Sequence, residues 1–325
     1  MNIELFDTET PVSADDELRR AKEELRQAKE ELEHAKEELR RAEEVPAAVE
    51  GPSGESSNTL PDQHISGSGS FGPGAYNEIS VSGSARYTGA ISCRSLHVSG
   101  SLKGDGSITA AEELHCSGSV KGTGDLAADD LSVSGSLKTD GSVSAGTKAK
   151  VSGSISCGEL HGGIVKVSGS TSCTTLTGSV VKISGMIRAE KDVEAESVMI
   201  SGAGYINGLL NAEDIMIGSE ESFSLGLFSA GTDTLKIGTI GGSRIRILRQ
   251  PRKGLFFRQK EADRLCFVTA DTIEGDEIEL DGVRAECVRG QNVTIHKNCR
   301  IGRVEYSGSL TVDSGAEVGE QVKTI

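Results

Sequence analysis

The tetrapeptide Val133-Ser134-Gly135-Ser136 recurs in near-copies through the middle of the chain and limits the fold more than any other feature. Copies are anchored at Ile65, Val81, Val98, Cys116, Val133, Val151, Val167, Ile183 and Ile200, at intervals of 16, 17, 18, 17, 18, 16, 16 and 17 residues. Self-similarity at a fixed short period identifies a repeat architecture before any single residue does. Apolar and polar residues alternate around each anchor. In Leu96-His97-Val98-Ser99-Gly100-Ser101-Leu102, the residues Leu96, Val98, Gly100 and Leu102 share one face of an extended chain. Such alternation over short runs specifies strand rather than helix. Further apolar groups at Ile91, Ile108, Leu126, Val143, Val193 and Leu210 follow most anchors, and Gly104-Asp105-Gly106 and Asp140-Gly141 supply turns.

Several short strands per repeat would leave rows of unpaired backbone groups. Stacking equivalent strands at roughly 4.8 Å removes that problem. The expected fold is therefore all-β, a parallel β-helix with coils of about 16–18 residues, apolar ladders inside and Ser, Lys, Asp and Glu outside. A narrow interior suits a chain with 3% aromatic residues, no Trp and 41 Gly. The Gly of Ser-Gly-Ser is expected to point inward at a tight corner, where a Cβ would crowd the axis.

Residues 1–45 follow a different repeat, expected to be a charged heptad α-helix. Leu18, Leu25, Leu32 and Leu39 occupy one seam position, and Ala21, Ala28, Ala35 and Ala42 the other. Ser13 and Asp16 outline a capping box, and Pro46 stops the helix. Glu24 with Lys29 and Glu31 with Lys36 attract each other in a parallel pair of such helices. A parallel coiled coil is favoured, and the alternative is a lone solvated helix held by pairs such as Arg19/Glu23. Residues 46–64 read as a flexible linker, 65–238 as the Ser/Gly-rich β-helix, and 266–325 as a second β-helical block.

Between those blocks, residues 239–265 read as a basic and aromatic insert. Arg244, Arg246, Arg249, Arg252, Lys253 and Arg258 surround Leu255, Phe256 and Phe257. Cations around an apolar tip suit an anionic membrane or an acidic protein surface. The alternative is an insertion whose Phe residues pack on the β-helix flank.

Chemistry-bearing constellations are absent from the sequence, so neither an enzyme nor a bound cofactor is expected. His97 and His115 lie one coil apart beside anchors; a plain surface ladder is favoured over a metal site, since no Cys or carboxylate pattern completes one. Glu112-Glu113 and Asp129-Asp130 occupy matching places in successive coils and read as a solvated turn. Cys116 replaces Val at an anchor and is expected to be a buried core thiol. Seven Cys without C-x-x-C fit reduced thiols. No basic leader segment and no apolar run of 18 residues occurs, so a cytoplasmic location is expected. The net charge of −15 argues against nucleic acid as a partner.

Residues 65–217, with Val-Ser-Gly-Ser and Gly-x-Ile every 16–18 residues, resemble the bactofilins, bacterial polymer-forming cytoskeletal proteins. Gly275-Asp276-Glu277-Ile278, Val288-Arg289-Gly290, Val293-Thr294-Ile295 and Val304-Glu305-Tyr306 are similar to the C-terminal block of longer members. The resemblance implies a right-handed β-helix that polymerises end to end, without nucleotide, into non-polar filaments and can associate with membranes. The chain departs from that pattern in its charged heptad helix and its basic insert. Open strand edges at both ends of a β-helix independently favour self-assembly. The partners expected are further copies of the chain, then the inner membrane surface or other cytoskeletal and cell-envelope proteins. The alternative function is a non-polymerising scaffold that docks a membrane or protein through the insert.

Overall fold

The structure, a computed structural model, describes residues 60–218, 235–248 and 267–324. All of these belong to Thr59–Ile325, one of the two units into which the chain divides. The heptad helix expected at 1–45 lies outside the described residues, as does most of the linker. The described residues contain 23 strands and no helix. Their parallel pairings wind the chain into a β-solenoid of about 13 turns.

Each early turn holds a long strand, a Ser-Gly corner, a short strand and a second turn. Ile91–Val98, then Ser99-Gly100, then Ser101–Gly104 is one such unit, and Ile108–Cys116 begins the next. The long strands bend midway, where the register shifts between Cys93 and Ser95, Thr109 and Glu113, or Ala145 and Lys148. A turn therefore has three straight segments separated by three bends, and inward side chains stack in columns along the axis.

One column runs Leu96, Leu114, Leu131, Ala149, Val165, Val181, Val198, Ile215, Ile245, Ile278 and Val293. Every member is at most 3% exposed. Fully burying a Val, Leu or Ile side chain contributes about 1.5–3 kcal/mol. The column is therefore what a one-turn slip or a polar substitution would disrupt.

The Ser-Gly corner is set by the neighbouring turn. Ser99 N and Gly100 N both donate to the Val81 carbonyl at 2.9 Å, and Ser134 and Gly135 donate to Cys116 O at 2.8 and 3.0 Å. A Cβ on Gly100 or Gly135 would stand 2.0 Å from the carbonyl oxygen of Gly83 or Gly118. This differs from the sequence expectation. The glycine is required because one corner backbone lies directly against the next along the stack, and these corner glycines are half-buried rather than part of the interior.

Tyr87 is fully buried near the N-terminal end, with its hydroxyl donating to Gly106 O at 3.2 Å. Its ring occupies the space a Cβ would need on Gly104 and, one turn on, its hydroxyl occupies that of Gly122. One aromatic side chain thus fills two turns. Phe71 stacks on it at 6.3 Å, and Tyr76 meets Phe71 edge-on at 5.8 Å.

The solenoid does not break at residue 239. The strand Leu235–Ile247 runs through that position and pairs with Val268–Leu280 from Leu235↔Val268 to Ile247↔Leu280. The two β-helical blocks are one continuous stack, and Arg244 and Arg246 stand on a solenoid strand. Ile217 and Ile247 are register partners, as are Leu235 and Val268. Residues 219–234 and 249–266 lie outside the described residues.

Candidate functional site

Among the described residues no group of three or more His, Cys, Asp or Glu is arranged to hold a metal ion. His97 and His115 are register partners with ring centroids 6.2 Å apart, and His115 Nε2 shares a hydrogen bond with Ser117 Oγ at 2.8 Å. Burial pushes the Cys93 and Cys116 thiols up to about 11, and Cys157 and Cys173 to about 12. Thiols held that far from the thiolate form are poor nucleophiles.

Arg244 and Arg246 are the described members of the predicted basic cluster. Their register neighbours are Asp214 and Met216 in the preceding turn and Glu277 and Glu279 in the following one. Arg244 Nη1 donates to Asp214, and its Nε lies 3.7 Å from Glu277. This arginine bridges three turns. An open depression of about 220 Å³ beside it is lined by Arg244, Arg246, Glu277, Ile278, Glu279, Asn292 and Thr294. Small-molecule pockets run from about 300 Å³ upward and are mostly apolar. This depression is smaller and mixed in charge. Arg249, Arg252, Lys253, Leu255, Phe256, Phe257 and Arg258 lie outside the described residues. So do Leu18, Ala21, Leu25, Ala28, Leu32, Ala35, Leu39 and Ala42, with Glu24, Lys29, Glu31 and Lys36.

Inter-turn ion pairs are a feature the sequence reading missed. Glu305 accepts from Arg289 Nε at 2.9 Å and from Arg303 Nε at 2.7 Å, while Arg303 also reaches Glu320 at 3.0 Å. The Arg289 hydrogen bond, helped by Arg303, holds the Glu305 carboxyl below its usual range. His296 Nε2 meets Glu279 at 2.8 Å and its Nδ1 meets Asp313 at 3.2 Å, which links three turns. The Glu279 hydrogen bond raises the imidazole pKa, with desolvation opposing it and Asp313 adding to it. A 17-residue separation on either side of His296 was the available signal, since that is one turn.

The two ends differ. At the first turn, Ile65 and Phe71 are buried and aromatic rings close the interior. At the last, Leu310, Val312, Ala316 and Val318 pack on the core but stay half-exposed. Glu317–Lys323 pairs only with the first part of Arg300–Val312, so among the described residues nothing covers Ser309 to Val312 on their outer side.

Comparison with known proteins finds no matching family model and no matching solved structure. Two uncharacterised proteins of Bacillus subtilis (strain 168) are similar. YhbE is 34% identical over 122 residues, which is 36% of this chain and 44% of YhbE. YhbF is 31% identical over 116 residues, covering 36% of this chain and 42% of YhbF. The chain thus matches less than half the length of either relative.

Proposed function

We propose that this chain is a bactofilin-like cytoskeletal protein, a right-handed β-solenoid that self-assembles end to end, without nucleotide, into cytoplasmic filaments. Right-handed winding is the rule for crossovers between parallel strands of one sheet. The observation that carries the reading is the last turn. Half-exposed Leu310, Val312 and Val318 lie beside strand edges with no partner among the described residues. Uncapped edges of this kind pair with another chain, and the apolar residues beside them gain burial when they do. The N-terminal heptads would add lateral or partner contacts. Negative-stain microscopy of the purified chain without nucleotide tests this. Filaments are expected, and Val312→Asp should abolish them while leaving the circular dichroism of the β-solenoid intact. Monodisperse monomers at every concentration would overturn the reading.

A second reading is a scaffold that docks a membrane or protein through the basic insert. It draws support from Arg244 and Arg246, which stand on the solenoid strand Leu235–Ile247 shortly before the sequence that carries Leu255, Phe256 and Phe257. Phe256→Ser with Phe257→Ser tests it, and unchanged vesicle binding would rule out these residues as the anchor.

A further inference from the structure

We propose that one flat face of the solenoid, formed by the second halves of three consecutive long strands, is a docking surface for an anionic lipid bilayer. Register places Lys148, Ile164 and Val180 in one outward column, and Lys150, Lys166 and Lys182 in the next. Met199 and Met216 extend the lysine column. Beneath this face Ala149, Val165 and Val181 are fully buried, so the strands that carry it are clamped to the core.

The charge on this face is unbalanced. Lys150, Lys166 and Lys182 are exposed and Lys148 is half-exposed. None of the four makes an ion pair or side-chain hydrogen bond among the described residues. Both borders of the three turns are uncharged: Thr147, Gly163 and Ser179 at the bend, and Ser152, Ser168 and Ser184 at the corner. Carboxylates return only at its two ends, with Asp129 and Asp130 in the preceding turn and Glu196 and Asp214 beyond. Like charges at roughly 4.8 Å spacing repel one another and weaken the stack. The array is therefore a cost to folding that a bound anionic partner would relieve.

The apolar residues decide which partner. Ile164 is 37% exposed and Met199 39%, side by side with the lysines on this face. A bilayer interface accepts both kinds of group at once. Lysine amines reach headgroup phosphates while their stems and the aliphatic side chains lie against the acyl boundary. An acidic protein would match the lysines but would need a complementary pocket for Ile164 and Met199. Each lysine near an anionic membrane strengthens binding about fivefold. A single patch is weak, and repetition along a filament multiplies it. The proposal shares its lipid partner with the second reading above and differs in the surface that makes contact; it does not require polymerisation.

Vesicle flotation of the full chain tests it, because flotation separates lipid binding from pelleting of polymer. Vesicles of phosphatidylcholine alone are compared with equal parts phosphatidylcholine and phosphatidylglycerol. Binding is expected to the anionic vesicles only. It should fall on the order of a hundredfold in Lys150→Ser/Lys166→Ser/Lys182→Ser, be retained with Arg at the same positions, and be unchanged in Phe256→Ser/Phe257→Ser. Loss in the Phe variant alone would assign the contact to the insert and overturn the proposal. Equal binding to neutral vesicles, or no binding of the unaltered chain, would also overturn it. Filament formation without lipid, scored separately, reports on self-assembly alone.

Discussion

Between Ile65 and Ile217 successive turns are aligned by Ser-Gly corners, whose amides converge on the anchor carbonyl of the turn before. Between Leu235 and Thr324 that pair no longer follows the anchor. Gly282 and Asn298 turn the chain with φ of 69° and 66°, and charged side chains link the turns. Arg94–Glu112 is the one inter-turn ion pair before Asp214 among the described residues. The same solenoid thus keeps its register in two ways. In the first region the backbone does it, because a corner with any side chain would collide with its neighbour. In the second, one amide still donates to the preceding anchor carbonyl, as Asp281 N does to Ile247 O and His296 N to Leu280 O. Arg–Glu pairs add to it above an equivalent aliphatic core. Exposed ion pairs are individually worth about 0–1 kcal/mol, so the second device is weaker per contact and sensitive to salt and pH.

Substitutions can break this contrast. The largest effect is expected for Tyr87→Ala, which empties the interior of two turns and should destabilise by about 3–5 kcal/mol, read as a fall in denaturation midpoint. Gly135→Ala drives a methyl into Gly118 O and should cost about 2–3 kcal/mol. Ser134→Ala, at an exposed position in the same corner, should stay within about 0.5 kcal/mol. Equal effects of the two would show that the corner is held by the serine rather than by close approach of backbones.

Thr171→Val has the opposite sign. Thr171 is fully buried between Ile155 and Ile187, and its hydroxyl has no hydrogen-bond partner. Removing that hydroxyl while keeping the shape should stabilise by about 1 kcal/mol, measured as a higher melting temperature.

The smallest effects belong to the ladders. Arg289→Gln should lower the melting temperature at low salt and have no effect at high salt, whereas the Gly135→Ala cost should be the same in both. His296 adds a pH dependence with a definite sign. Its folded pKa lies above the ordinary 6.5, so its contribution is complete below the unfolded value and is lost as pH rises through the folded one. Melting curves of the parent and His296→Gln should therefore converge on the alkaline side and separate on the acid side. A constant difference would show that Glu279 and Asp313 hold the ring by packing alone.

Much of the architecture was legible in the residues. An anchor every 16–18 positions, with alternation on either side, specifies stacked strands, since no other arrangement buries Leu96, Leu114 and Leu131 together while pairing every strand. The surfaces were less legible. Lys150, Lys166 and Lys182 look like isolated cations in the chain and form a stripe only when the turns stack. The Glu279, His296 and Asp313 staple was hidden in the same way. The boundary drawn at residue 239 missed because Arg244 and Arg246 raise the local charge without disturbing the alternation of Ile240, Ile245 and Ile247, all fully buried.

The sequence by itself determined the period, the strand direction and the inward ladder, because alternation and spacing act over a few residues and leave one low-energy way to bury the apolar set. Tertiary structure alone decided what the corner glycines touch, how far Tyr87 reaches, that two apparent blocks share one stack, and which surface charges meet. Each of these depends on atoms one full turn away in the chain, and their separation is set by the stacking distance rather than by any local preference.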